Sequence, residues 1–154
     1  MRPATPRTAS CPRAVRARSL DEVSRGALGG IRVLVVDDDP EMRAAVQGAL
    51  EAVGAEVVAV ASADEALDAL ERSHPDLLLS DLGMPGRDGC ALMRAVRALP
   101  PERGGAVRAV ALTAFADRDV GRRTIDAGFQ AHVVKPIEAA ALIDIVSGLA
   151  ASDA

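Results

Sequence analysis

Five short apolar runs, each rich in β-branched residues or Leu and each followed by a stretch of helical spacing, constrain this chain more than any other feature. The runs are Ile31–Val36, Glu56–Val60, Leu77–Ser80, Val107–Leu112 and His132–Val134. The helical stretches are Pro40–Val53, Ala63–Arg72, Asp88–Leu99, Arg118–Ala127 and Glu138–Ala150. Alternation at this spacing predicts an α/β fold: a doubly wound, five-stranded parallel sheet with right-handed crossovers and helices on both faces. Val33-Leu34-Val35-Val36 and Leu77-Leu78-Leu79 are apolar without alternation, as strands covered on both faces require. Local punctuation agrees. Pro40 suits a first helical turn, Gly54 and Gly128 stand just past helix ends where a left-handed cap is wanted, and Ser62 with Glu65 forms a capping box.

At 154 residues the chain has room for one such domain. Residues 1–30 are rich in Pro, Arg, Ser and Gly, with a short helix expected at most around Ser19 to Arg25. They read as a tail ending at the Gly29-Gly30 joint, leaving 31–151 as the folded unit. The tail carries six Arg against Asp21 and Glu22, a charge of +4, while residues 31–154 carry −8. An acidic body is a poor partner for duplex DNA, whose binding rests on phosphate neutralisation. The only aromatic residues are Phe115 and Phe129, too few for base stacking on single strands. No apolar run is long enough for a membrane span or a secretory signal. The Arg-rich start has the composition of an organellar transit peptide, but Arg prevails along the whole chain. Cys11 and Cys90 form neither a disulfide framework nor a metal spacing, so a reducing cytoplasm is expected. Cys90 reads as a small buried hydrophobe and His74 as a solvated loop residue.

In open parallel sheets the ligand site lies outside the carboxyl ends of the strands. There the sequence sets Asp37-Asp38-Asp39 after the first run, Asp81 after the third, Thr113 after the fourth and Lys135-Pro136 after the fifth. Carboxylates that converge repel one another unless a cation sits among them, and an all-oxygen donor set suits Mg²⁺, with Mn²⁺ as a substitute. Lys135 is the one Lys among 18 basic residues; a compact ammonium reaches a phosphoryl oxygen or carboxylate where a planar guanidinium would not fit. Thr113 adds a hydroxyl. The set is suited to phosphoryl transfer by positioning and charge neutralisation.

VLVVDDDP, SDLGMPGRDG, ALTA and HVVKP, in this order and spacing, resemble the receiver domain of two-component response regulators, most closely the receivers of hybrid sensor histidine kinases. The resemblance implies a flavodoxin-like (βα)5 fold of strand order 2-1-3-4-5. It implies a bacterial signalling module that catalyses only its own phosphorylation and dephosphorylation and is not otherwise an enzyme. Asp81 would be the phosphoacceptor, attacking the phosphorus of a phosphohistidine on a histidine kinase or histidine phosphotransfer protein. Asp38 would bind the metal directly, Asp37 would assist, and with Asp81 the backbone carbonyl of Gly83 would complete the protein ligands. Thr113 and the neighbouring Ala114 would hold phosphoryl oxygens, Thr113 changing rotamer on activation. Lys135 would pair with Asp81 at rest and with the phosphoryl group afterwards, aimed by a cis peptide before Pro136. Output would pass to a downstream protein through roughly Arg118–Ala150, in a chain without a DNA-binding domain that reads as a stand-alone receiver or one separated from its kinase.

Two departures from the family pattern stand out, one at His132 and one at the pair Gly83 and Phe115. His132 stands where many receivers carry a Tyr or Phe that swings inward as the Thr engages phosphate. The positions that tune hydrolysis, two residues after Asp81 and after Thr113, hold Gly83 and Phe115, neither of which can orient a water; a long-lived acyl phosphate is expected. Other function classes remain on the sequence alone. A haloacid-dehalogenase-like phosphatase would use Asp37 as nucleophile with Asp39, though LGMPGRDG has no place in it. A dinucleotide-binding module lacks its glycine fingerprint after the first strand. A receiver-like interaction domain with altered switching is the third.

Overall fold

The computed structural model describes residues 28–84, 86, 88–114 and 118–151; residues 1–27 of the expected tail and Phe115 lie outside the described residues. Five strands alternate with five helices. In chain order these are β1 (Arg32–Val36), α1 (Pro40–Glu51), β2 (Glu56–Val60), α2 (Ala63–Ser73), β3 (Leu77–Asp81), α3 (Gly89–Arg97), a single 3₁₀ turn (Pro101–Arg103), β4 (Arg108–Thr113), α4 (Arg118–Ala127), β5 (Ala131–Val134) and α5 (Ala139–Ala151). The strands form one parallel sheet in the order β2-β1-β3-β4-β5, so the expected fold is the observed one. Among the described residues no helix is long and apolar enough to cross a membrane.

Strands β1, β2, β3 and β4 feed two cores, because successive side chains point to opposite faces, while β5 feeds one. Leu34, Val36, Leu78, Ala109 and Ala111 meet Ala66, Leu70, Leu92, Met93 and Ala127 on one side. Val33, Val35, Leu77, Leu79, Val110 and Leu112 meet Val46, Leu50, Leu142 and Val146 on the other. The first layer is thus roofed by α2, α3 and α4, the second by α1 and α5. Leu28 belongs to the second layer: it is 1% exposed, and its N–H donates to the Val53 carbonyl at 2.9 Å. The sequence boundary at Ile31 therefore leaves a core side chain on the tail side, since one apolar residue ahead of two glycines shows no periodicity to flag it.

Caps formed where the sequence placed them. The Ser62 side chain accepts the Glu65 N–H, and Glu65 in return accepts the Ala61 N–H. Gly54 and Gly128 adopt φ of 102° and 116° past the ends of α1 and α4. Boundaries differ by a residue or two, and one difference matters. β3 runs through Asp81, held in the ladder opposite Leu112, with the Leu82 N–H donating to the Leu112 carbonyl.

Arg97, at the end of α3, ties the base of the sheet together. Its guanidinium donates to the Gly128 carbonyl at 2.6 and 3.2 Å and to the Gly105 carbonyl at 2.8 Å. Both glycines are forced by crowding: a Cβ on Gly105 would lie 1.8 Å from the Leu99 carbonyl oxygen, and one on Gly128 would lie 2.8 Å from Arg97 Cγ. Arg97→Met keeps much of the aliphatic bulk but strands two carbonyl groups, so a loss of about 2 kcal/mol in urea-unfolding stability is expected. A midpoint equal to wild type would show that water replaces the guanidinium without cost.

Candidate functional site

The carboxyl ends of β1, β3 and β5 bring the side chains of Asp37, Asp81 and Lys135 together, and Thr113 stands at the end of β4 between β3 and β5. Asp37 follows β1 directly and is fully buried; Asp81 ends β3 and is 7% exposed; Thr113 ends β4 and is 2% exposed. Lys135 follows β5, and its backbone N–H donates to the Thr113 carbonyl at 2.7 Å, extending the ladder one step past the strand. The Lys135 Nζ then lies 3.1 Å from Asp81 Oδ1 and 3.4 Å from Asp37 Oδ2. The Lys135-Pro136 bond is cis. One ammonium thus serves two buried carboxylates.

Asp38 turns to solvent, yet one oxygen from each of Asp37, Asp38 and Asp81 lies within 4.8 Å of the others. Burial pushes the Asp37 carboxyl pKa up; the Asp39 N–H opposes it, the charge of Asp81 adds to it, and Lys135 opposes it, for a net rise. For Lys135, burial alone would lower the ammonium's pKa. Its hydrogen bond to Asp81 and the Asp81 charge, followed by Asp37, outweigh burial and raise it. Three carboxylates against one ammonium leave an excess of negative charge in a poorly solvated place. This all-oxygen donor set is what a hard divalent cation such as Mg²⁺ selects, so the residues present fit such an ion.

The loops hold this geometry through contacts that the sequence did not advertise. The Asp39 N–H donates to Asp37 Oδ1 at 3.0 Å, which orients the buried carboxylate, and Asp39 Oδ1 caps α1 by accepting the Glu41 N–H. Arg43 on the first turn of α1 donates to the Asp37 carbonyl at 2.9 Å; an Arg in an Arg-rich chain carries no signal of its own. Gly89, the first residue of α3, is a close-approach position. A Cβ there would stand 2.4 Å from the Asp81 carbonyl oxygen and 2.9 Å from Leu82 Cα. The start of α3 is thereby pressed against the backbone of Asp81. Met84, buried at 6%, anchors the intervening loop, in which Gly86 takes φ of 79°.

Other expected site residues sit at the rim. Gly83 and Ala114 are exposed loop positions flanking Asp81 and Thr113. His132 is exposed on β5, opposite Ala111 in register, on the side of the sheet facing α4. A Cβ at Gly121 would lie 3.5 Å from its Cε1. In this structure, therefore, His132 lies over α4. Cys90 is buried, as expected, with its thiol directed at the Arg123 carbonyl.

The chain matches the family model described as the response regulator receiver domain over residues 33–147. It is 41% identical over 119 residues to the "Uncharacterized 14.6 kDa protein in sodA1 3'region" of Leptolyngbya boryana, covering 77% of this chain and 89% of that one. It is also 41% identical over 136 residues to the sensor protein GacS of Pseudomonas syringae pv. syringae, covering 88% of this chain but only 15% of that much longer protein. Among solved structures it resembles the receiver domain of sensor histidine kinase PA1611 from Pseudomonas aeruginosa PAO1, which carries a magnesium ion coordinated in its active site cleft. There the TM-score is 0.73 at 31% identity, covering 80% of this chain and 100% of that one. A response regulator described as putative from Chloroflexus aurantiacus J-10-fl gives 0.73 at 31% identity, covering 79% and 98%. With the family model spanning the sheet and all four strand ends of the site, the chain belongs to the receiver domains of two-component response regulators.

Proposed function

We propose that residues 31–151 act as a cytoplasmic receiver that takes a phosphoryl group onto Asp81 from a histidine kinase or histidine phosphotransfer protein. The reading is carried by one observation: Lys135 Nζ at 3.1 Å from Asp81 and 3.4 Å from Asp37 at the carboxyl edge of the sheet. In the transfer, an Asp81 carboxylate oxygen bonds to phosphorus as the phosphorus–imidazole nitrogen bond breaks, and the nitrogen keeps the electron pair. Lys135 follows the charge from the carboxylate onto the phosphoryl oxygens, while the Thr113 hydroxyl and the backbone beside Ala114 hold those oxygens. Asp37, Asp38, Asp81 and the Gly83 carbonyl would hold Mg²⁺, which when bound neutralises phosphoryl charge. Asp37 keeps its carboxylate turned to that place through the Asp39 N–H, and Arg43 holds the Asp37 backbone carbonyl. His132 would respond to Thr113 from the outer face of β5, and the output surface would lie within Arg118–Ala150.

Labelling with a small phosphodonor and Mg²⁺ is the direct test. Wild type should incorporate one phosphoryl group, and Asp81→Asn none; incorporation that survives Asp81→Asn but is lost in Asp37→Asn would instead favour a phosphatase-like nucleophile at Asp37.

The raised Asp37 pKa gives a second test. An acid whose folded pKa lies above its unfolded value contributes stability below the unfolded pKa, which is lost as pH rises through the folded pKa. At neutral pH the ionised carboxylate therefore weighs against the fold. Asp37→Asn keeps the oxygen that accepts from Asp39 and should raise the metal-free Tm by about 4 °C, the shift that about 1 kcal/mol produces in a domain of this size. The same change should weaken Mg²⁺ binding by about 10–100-fold or more, since even outer-shell changes cost that much. A lowered Tm would mean that the Lys135 pairing outweighs the burial cost.

Gly83 and Phe115 beside the acceptor and the Thr provide no side chain to orient water, so the acyl phosphate should persist for minutes or longer in Mg²⁺. Complete loss of label within seconds would overturn that expectation.

A further inference from the structure

The outer edge of the sheet at β2 lacks the devices that ordinarily keep sheet edges from pairing, a charge, a proline or a bulge. From Val57 to Ala61 the strand and its exit read Val-Val-Ala-Val-Ala, and β2 pairs with β1 in unbroken register. The Glu56 N–H donates to the Ile31 carbonyl, and the Val60 carbonyl accepts the Asp37 N–H. Residues that bond to one neighbour alternate along a strand, so Glu56, Val58 and Val60 turn their backbone groups to β1. Val57 and Ala59 turn theirs outward, and among the described residues no strand lies beyond them. Their side chains pack into the second core. Val58 points the opposite way and is 41% exposed.

We propose that this edge pairs with the same edge of a second copy of the chain, in an antiparallel two-fold contact centred on Val58. In that register Val57 faces Ala59 of the second copy and Ala59 faces its Val57. Each of these pairs exchanges two hydrogen bonds, so every outward group on both strands is used. Val58 faces its own twin in the close, non-hydrogen-bonded pair, where two β-branched side chains cover each other. Glu56 faces Val60, so no like charges are opposed along the strands. The flanking backbone selects this register. The Ala55 N–H already donates to the Leu50 carbonyl at 3.1 Å, and the Ala61 N–H to Glu65 Oε1 at 2.9 Å. A shift by two residues would set Ala59 against Ala55, or Val57 against Ala61, and lose those donors.

Charge agrees with the antiparallel sense. Because Glu65 holds the Ala61 N–H, the row Glu65, Asp68 and Arg72, spaced as one side of α2, flanks this edge. The two-fold turns the acidic start of that row toward the basic end of its twin and sets the two helix dipoles in opposition. Asp68, midway, already holds Arg72 at 2.7 Å. A parallel contact would set acid beside acid and align the dipoles. The two-fold contact is also closed, since neither copy keeps a β2 edge for a third. Neither the open backbone groups nor these charges depend on the phosphoacceptor reading.

The test is amide hydrogen exchange of the ¹⁵N-labelled chain at low micromolar and at millimolar concentration, with sedimentation velocity over the same range. The Val57 and Ala59 amides should exchange fast when dilute and slow by about 10-fold or more when concentrated, because exchange then requires the dimer to open. The Val58 and Val60 amides, bonded to β1, should be slow at both concentrations. Val58→Lys sets two ammonium groups at the axis and should weaken the dimer by about 10-fold or more, about 1.4 kcal/mol. Val58→Thr keeps the β-branch and should weaken it less. Val57 and Ala59 amides that stay fast at millimolar concentration, or a dimer indifferent to Val58→Lys, would overturn the proposal. So would slow exchange that is the same at every concentration, which would assign the edge to residues 1–27 of the same chain. The exchange measurement on the wild-type chain decides the matter even if a variant fails to fold.

Discussion

The repulsion between carboxylates buried at one sheet edge, and the single ammonium that relieves it, organise the rest of this molecule. Asp37 and Asp81 are held beside each other because β1 and β3 are neighbours in the sheet and each residue directly follows the last β1–β3 register pair, Val36 and Ser80; both are buried. Lys135 reaches both only because β5 closes against β4 and carries its backbone one bond past the strand. A buried ion pair contributes little net stability once desolvation is counted. In the proposed transfer its value is as a loaded position: the ammonium already stands where added negative charge would be received, and the excess of carboxylates suits a divalent cation. The same arrangement explains why the only Lys of an Arg-rich chain stands at this place, since a planar fork could not sit between two carboxylates on different strands.

Much of this was legible in the residues, for a specific reason. Parallel strands buried on both faces write themselves as continuous apolar runs, and the chemistry of this fold collects in the residue or two after each run. Asp37, Asp81, Thr113 and Lys135 were therefore findable from position alone, and the structure brings them together. What escaped notice has a common character: it depends on approach in three dimensions and not on periodicity. Gly89 looks like any helix-start glycine until its missing Cβ is seen to clear the Asp81 carbonyl. Arg43 looks like one Arg among many until its guanidinium is found on the Asp37 carbonyl. Leu28 looks like the end of a tail until it is found in the core. His132 was read as a replacement for an inward-swinging aromatic ring; its imidazole lies outward over α4 in this structure, and Gly121 provides the room.

Charge is partitioned as well as balanced. At the carboxyl edge three carboxylates, those of Asp37, Asp38 and Asp81, stand against the one ammonium of Lys135, and this local excess of negative charge can hold a cation. Long-range fields of this sort guide which partner approaches which face before any contact is made.

Arg97 gives the sheet a mechanical asymmetry. Its guanidinium grips Gly105, which precedes β4, and Gly128, which precedes β5, so both strands are clamped at their entry ends by one side chain from α3. At their exit ends the two strands carry Thr113 and Lys135. Each behaves as a beam fixed at the base and loaded at the tip. Displacements provoked at the acidic edge would then be largest there and would die away toward the clamp. In the proposed phosphoryl acceptance at Asp81, a displacement would by this construction be steered sideways, across the tips of β4 and β5, and not down through the floor of the domain.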